Sequence, residues 1–175
     1  PDQIADVYDA VAFRETDRAR LWDSDGWSLL LSRDQLVVEK RQNSSFKPMR
    51  LPETGTYVVG DGLGKIRLRE YVRTAGFAVS KNPCHVCVDA EKIKYPLTVR
   101  LCEPGDRFVP FGMKGNKLVS DYLTDKKKNL FEKRRQLVVA SADGTIVWLV
   151  NERVDDRFRV TESTERVLDI TFGDV

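Results

Sequence analysis

No apolar run in these 175 residues approaches the roughly 20 residues of a membrane-spanning helix. No basic-then-apolar signal segment opens the chain either. Histidine occurs once, at His85, and cysteine three times, at Cys84, Cys87 and Cys102. Three thiols cannot all pair within one chain, which favours a reducing, cytoplasmic setting over a disulfide scaffold. A Ser-His-Asp or Cys-His nucleophile site would have to use His85, and no G-x-S-x-G elbow supports one. A zinc site on Cys84 and Cys87 lacks a second Cys/His pair, and Cys102 alone is left to join it. The run Gly60-Asp61-Gly62-Leu63-Gly64-Lys65 fails as a phosphate loop. Its second glycine comes too soon, and Ile66 stands where Ser or Thr is needed. It reads as a hairpin turn. There is no internal repeat and no low-complexity segment.

What remains is a soluble globular composition, with 41% hydrophobic and 32% charged residues. The length suits one domain, or a domain plus an appendage, with a real core. Pro1, in place of an initiator Met, suggests an excised fragment or a processed start. The net charge of +2 hides an uneven distribution. From Arg100 to Arg135 there are ten Lys/Arg against five Asp/Glu; from Gln136 to Val175 there are four against eight. A basic segment beside an acidic tail implies a positive face rather than a positive molecule. Chance clustering of charge is the plain alternative.

Periodicity predicts short elements. Asp2 to Phe13 reads as an amphipathic helix with Ile4, Val7, Tyr8 and Val11 on one side, followed by polar sequence to Gly26. Trp27–Leu31 and Gln35–Glu39 read as a hairpin about Ser32-Arg33-Asp34. The polar stretch from Gln42 to Pro52 is the best boundary, placed near Ser45. Further strands are predicted at Thr56–Val59, Lys65–Tyr71, Leu97–Leu101, Leu137–Ala140, Thr145–Val150 and Arg166–Phe172. Cys84-His85-Val86-Cys87-Val88-Asp89 also reads as a strand, with His85 and Cys87 on one face. Asp89 to Lys92 is a turn or short helix, and Asn151–Arg159 is a charged loop.

The chain is organised around Pro104 to Lys128. Pro104-Gly105, Pro110-Phe111-Gly112 and Gly115 mark a loop. A helix follows, with Leu118, Tyr122 and Leu123 on one face and Asn116 as its cap. A second short helix, Asn129 to Arg135, turns Leu130 and Phe131 inward. A glycine-rich basic loop leading to a helix suits phosphate contacts, because glycine N–H groups and helix N-termini attract anions. Arg107, Lys114 and Lys117 would meet phosphates from the loop; Lys126, Lys127, Lys128 and Arg134 would extend the track. Arg100 and Arg107 either join them or support the loop by forking onto Asp106 or Asp121. Basic runs of this kind also occur as solvated helix faces, and Phe108, Phe111 and Tyr122 fit a core better than base stacking.

The same stretch carries a family resemblance. Arg100, Pro104-Gly105-Asp106-Arg107-Phe108, Pro110-Phe111-Gly112, Lys114-Gly115, Lys117-Leu118 and Ser120-Asp121-Tyr122-Leu123 resemble the C-terminal domain of tRNA(Ile)-lysidine synthetases. So do Ile146-Val147-Trp148-Leu149-Val150, Arg153 and Asp155. The signature part runs over residues 93–170; residues 1–45 resemble the end of that family's middle region, and the sequence between is matched by position. The resemblance implies two parts, 1–45 and a C-terminal tRNA-binding domain at 46–175. It implies an α+β fold, a β-rich antiparallel sandwich or partly closed barrel with short helices on one side. The resemblance implies that this fold is akin to a domain of a phenylalanyl-tRNA synthetase subunit.

In that family an N-terminal ATP-pyrophosphatase domain uses ATP to ligate lysine to the wobble cytidine of the CAU-anticodon isoleucine tRNA. Its S-G-G-x-D-S loop is absent from these residues. The resemblance therefore implies a non-catalytic piece with no cofactor or metal of its own; ATP and magnesium would belong to the absent domain. Its expected partners are tRNA(Ile), met on the acceptor-stem side at Arg100, Arg107, Lys114, Lys117, Lys126, Lys127, Lys128 and Arg134, and the rest of the parent chain. A second copy of the chain remains a candidate partner. The competing class is a protein-interaction or dimerisation module that uses the first helix and exposed strand edges.

Overall fold

Alternating apolar and polar residues separated by turn residues build short antiparallel strands, and these are the main regular elements of the computed structural model of the chain. It describes residues 2–13, 19–41, 46–60, 62–80 and 82–173. The chain divides into two units, Pro1–Ser45 and Phe46–Val175. The expected boundary at Ser45 lies outside the described residues. Among the described residues, no helix is long and apolar enough to cross a membrane.

The first unit is a helix, α1 (Asp2–Ala12), and a three-stranded meander, β1 (Arg20–Ser24), β2 (Trp27–Ser32) and β3 (Gln35–Lys40). The strand β1 is a correction, because its residues read as polar irregular sequence. Pairing with β2 in the register Leu21↔Leu30 makes it a strand regardless of its own pattern. Arg33 and Asp34 both take positive φ, 51° and 61°, the two-residue turn whose twist matches the flanking strands. The indole N–H of Trp22 donates to Asp6 at 2.6 Å, tying β1 to the helix. Ala10 and Leu30 are buried, whereas Ile4, Tyr8 and Val11 of the expected apolar face are exposed.

The second unit is a two-sheet sandwich with an added layer. Its strands are β4 (Met49–Leu51), β5 (Gly55–Val59), β6 (Gly64–Val72), β7 (His85–Asp89), β8 (Leu97–Leu101), β9 (Arg107–Phe108) and β10 (Lys117–Leu118). Two short helices follow, α2 (Val119–Asp125) and α3 (Leu130–Arg134). Then come β11 (Leu137–Ala140), β12 (Ile146–Leu149), β13 (Arg153–Val154) and β14 (Arg166–Gly173). One sheet has the order β13-β12-β11-β8-β4, the other β5-β6-β14-β7. All pairings are antiparallel and no barrel closes. The strands β4 and β13 lie in stretches expected to be irregular. At β6, Gly64 admits no side chain: a Cβ there would sit 2.7 Å from Phe172 and 2.8 Å from the Gly173 carbonyl.

The main core fills the space between the sheets, with Leu51, Ile66, Val99, Val139, Leu168 and Ile170 among its members. Each such side chain contributes about 1.5–3 kcal/mol by leaving water. A second cluster, Phe108, Val119, Tyr122, Leu123, Val138, Ile146 and Leu149, lies on the other face of the five-stranded sheet. That sheet is therefore covered on both sides, which is why every residue of β11 and β12 is buried. The register shift at Val139/Ala140 sets both Val147 and Trp148 against the intersheet core while Ile146 and Leu149 serve the outer cluster.

Candidate nucleic-acid interface

Two type II turns shape the organising loop. Asp106 N–H donates to the Glu103 carbonyl at 3.1 Å, and Met113 N–H to the Pro110 carbonyl at 2.8 Å. Gly105 and Gly112 sit at their third positions with φ 89° and 80°, which residues with a Cβ rarely adopt. Two carboxylates then brace the backbone. Arg100 forks onto Asp106, with N–O distances of 2.7 and 2.8 Å, and Asp106 also accepts from Glu103 N–H at 2.8 Å. Both side chains are mostly buried, at 16% and 13% exposure. Burial opposes charge on Asp106, but the Arg100 and Glu103 hydrogen bonds outweigh it and hold the carboxyl below the ordinary range. The same pairing raises the Arg100 pKa. Burial and the Asp106 charge push the neighbouring Cys102 thiol up to about 12.

The second brace is Asp155, with no exposed surface. It accepts from Val109 N–H and Arg157 N–H at 2.9 Å each, and from the Arg157 guanidinium at 2.9 and 2.7 Å. Asp156 accepts from the Gly112 N–H at 3.0 Å. That amide, expected to be open to an anion, is thus already occupied. Below the loop, Phe108 and Tyr122 meet edge to face with ring centroids 5.2 Å apart. Phe111, by contrast, is exposed rather than core.

The expected cap of α2 is corrected too. The helix begins after Leu118, without a side-chain cap, because Lys117 and Leu118 pair with Phe108 and Arg107 across β9–β10. Asn129 caps α3 instead, in a capping box with Glu132.

Sequence-expected cations fall into two groups. Arg100, Lys117 and Lys128 are paired. Arg100 holds Asp106, Lys117 reaches Asp125, and Lys128 lies 3.0 Å from Glu152 and 3.5 Å from Glu132. The Glu152 hydrogen bond leads the upward shift of the Lys128 pKa. Arg107, Lys114, Lys126, Lys127 and Arg134 are exposed and have no ion pair among the described residues. Lys126 lies over the Tyr122 ring, 5.7 Å from its centroid. Six of the eight, Arg107 through Lys128, belong to the single layer made of β9, β10, α2 and their loops.

Reading along the chain missed a second basic row. Lys65, Arg67 and Arg69 alternate along β6, all exposed and without an ion pair among the described residues. Arg67 stands opposite Thr56 on one side and Thr171 on the other. Alternation was the available signal; nothing local says that this sheet face carries no covering layer.

No protein-family model matches the chain. A tRNA(Ile)-lysidine synthase of Parabacteroides distasonis is 39% identical over 156 residues, covering 87% of this chain and 34% of that protein. One of Bacteroides thetaiotaomicron is 42% identical over 95 residues, covering 54% and 22%. In fold, the chain matches a crystal structure of a TilS C-terminal domain with TM-score 0.61 and 20% identity, covering 74% of this chain and 98% of that one. The chain spans about a third or less of the curated relatives it matches.

Proposed function

We propose that this chain, similar over 87% of its length to a tRNA(Ile)-lysidine synthase of Parabacteroides distasonis, is the tRNA-docking part of such an enzyme. In this reading it positions tRNA(Ile) on the acceptor-stem side for lysine ligation. An ATP-dependent domain outside these residues performs that reaction in the cytoplasm, and this part is not catalytic. The observation that carries the reading is the division of cations in the organising layer. Partly or fully buried carboxylates fix the loop, while Arg107, Lys114, Lys126 and Lys127, joined by Arg134 of α3, are exposed without an ion pair among the described residues. Duplex RNA is recognised largely through phosphates and 2′-hydroxyls, for which a fixed array of cations is the right chemistry. Such contacts set the pose of the substrate rather than its reactivity. Arg100 serves here as a positioning residue beneath the contact surface.

Titration of the chain with isoleucine tRNA and an unrelated tRNA at two salt concentrations tests this. Salt-sensitive binding that prefers isoleucine tRNA is the expected outcome. Binding that ignores salt, or self-association in place of tRNA binding, would favour the protein-interaction module.

A further inference from the structure

Away from the organising layer, the outer face of the four-stranded sheet carries a cluster that the RNA reading does not use. His85 and Cys87 sit two apart on β7 and so face the same way. In the register of β7 with β14, Asp169 stands directly opposite Cys87, and Thr171 opposite His85. Directly opposed side chains on antiparallel strands start about 4.5–5.5 Å apart at Cβ. One donor atom from each of His85, Cys87 and Asp169 lies within 4.8 Å of the others. The His85 Nε2 and Asp169 Oδ2 are 2.7 Å apart. Their backbones are held from beneath, since Val88, Leu168 and Ile170 are fully buried.

We propose that His85, Cys87 and Asp169 form a zinc-binding site with three protein ligands, which clips the edge strand β7 to β14. Thiolate, imidazole and carboxylate together suit this borderline-soft cation. Zinc–ligand bonds of about 2.0–2.3 Å put tetrahedral donors about 3.5 Å apart. The His85–Asp169 contact would open slightly and the widest donor separation would close by about 1 Å. Side-chain rotation can supply both. Cys87 is 5% exposed, whereas the His85 side chain is 35% exposed. The cation would therefore be reached from the His85 side, where a water can complete four-coordination. Expecting no metal came from counting Cys and His alone. Cys102, the one cysteine left to join such a site, packs instead against the cluster on the far face of the other sheet. The third ligand is an aspartate 82 positions after Cys87 in the chain. The site is independent of tRNA docking.

The 175-residue chain, stripped with chelator, is dialysed against zinc and its metal content measured; cobalt(II) is titrated in parallel to read thiolate charge-transfer absorption. The expected result is one zinc per chain and a cobalt–thiolate band. Both should disappear in Cys87→Ser and persist in Cys84→Ser. His85→Gln and Asp169→Asn should each weaken binding by more than the about tenfold lost with an outer-sphere partner. Circular dichroism confirms folding; His85→Gln, partly exposed on an edge strand, keeps the test open if Cys87→Ser fails to fold. Absence of stoichiometric zinc, a cobalt band that survives Cys87→Ser, or unchanged affinity in folded His85→Gln and Asp169→Asn overturns the proposal.

Discussion

On the loop-and-helix layer, cations project because buried carboxylates hold the backbone beneath them; on β6, Lys65, Arg67 and Arg69 project because alternate residues of a half-buried strand face outward. The first surface has many points of failure. Asp106 and Asp155 lie in different parts of the chain, and each holds a different point of the loop backbone. The second needs nothing beyond strand register, which Ile66 and Leu68 enforce from the core. The layer also pairs some of its cations, whereas the β6 row leaves all three without an ion pair among the described residues. A surface braced at fixed geometry suits one defined pose; a plain row of charge attracts anions without orienting them.

The largest effect that would break this contrast is on stability. Asp155→Ala removes the fully buried acceptor of four hydrogen bonds and leaves the part-buried Val109 N–H without its partner. It should cost about 3 kcal/mol, read by denaturant unfolding. Arg100→Ala should cost somewhat less, about 2 kcal/mol, and leave Asp106 uncompensated.

That pair also has a pH signature. Asp106 is held below its unfolded pKa of about 3.9. Its contribution is therefore complete above that value and fades as pH falls through the lower, folded value. Unfolding measured between pH 6 and pH 3 should show this acid loss in the wild type and less of it in Asp106→Asn. Equal pH dependence in both would remove Asp106 as the brace.

The next effect is on binding. Lys114→Ala with Lys127→Ala should leave the fold intact, weaken tRNA binding about tenfold at low salt, and lower the salt slope by about 2. Lys117→Ala with Lys126→Ala should weaken it less, because Lys117 is already paired with Asp125. The smallest effect is on the β6 row. Arg67→Ala with Arg69→Ala should change tRNA affinity by no more than about twofold. A loss equal to that of the loop lysines would make the two faces equivalent and end the contrast.

Much of this was legible locally. The Pro-Gly turns, the β6 and β14 strands and the inward Phe108 and Tyr122 follow from short-range pattern. So does the shared face of His85 and Cys87. The candidate cations were visible, but their division into paired and unpaired was not. Lys128 is matched by Glu152 and the loop at Val109 by Asp155, both far along the chain. Asp155, which braces the layer from the end of β13, sat in a stretch that read as charged loop.

Composition, turn chemistry and period-2 alternation determined by themselves a β-rich chain with a basic segment between residues 100 and 135. These signals are local: steric limits on φ and ψ, and the alternating sides of a strand, act within a few residues. The tertiary structure alone decided which sheet is covered on both faces, which cations are neutralised, and that Asp169 meets His85 and Cys87. Those outcomes depend on cross-strand register and layer packing, which join residues tens of positions apart and leave no mark in any short window of sequence.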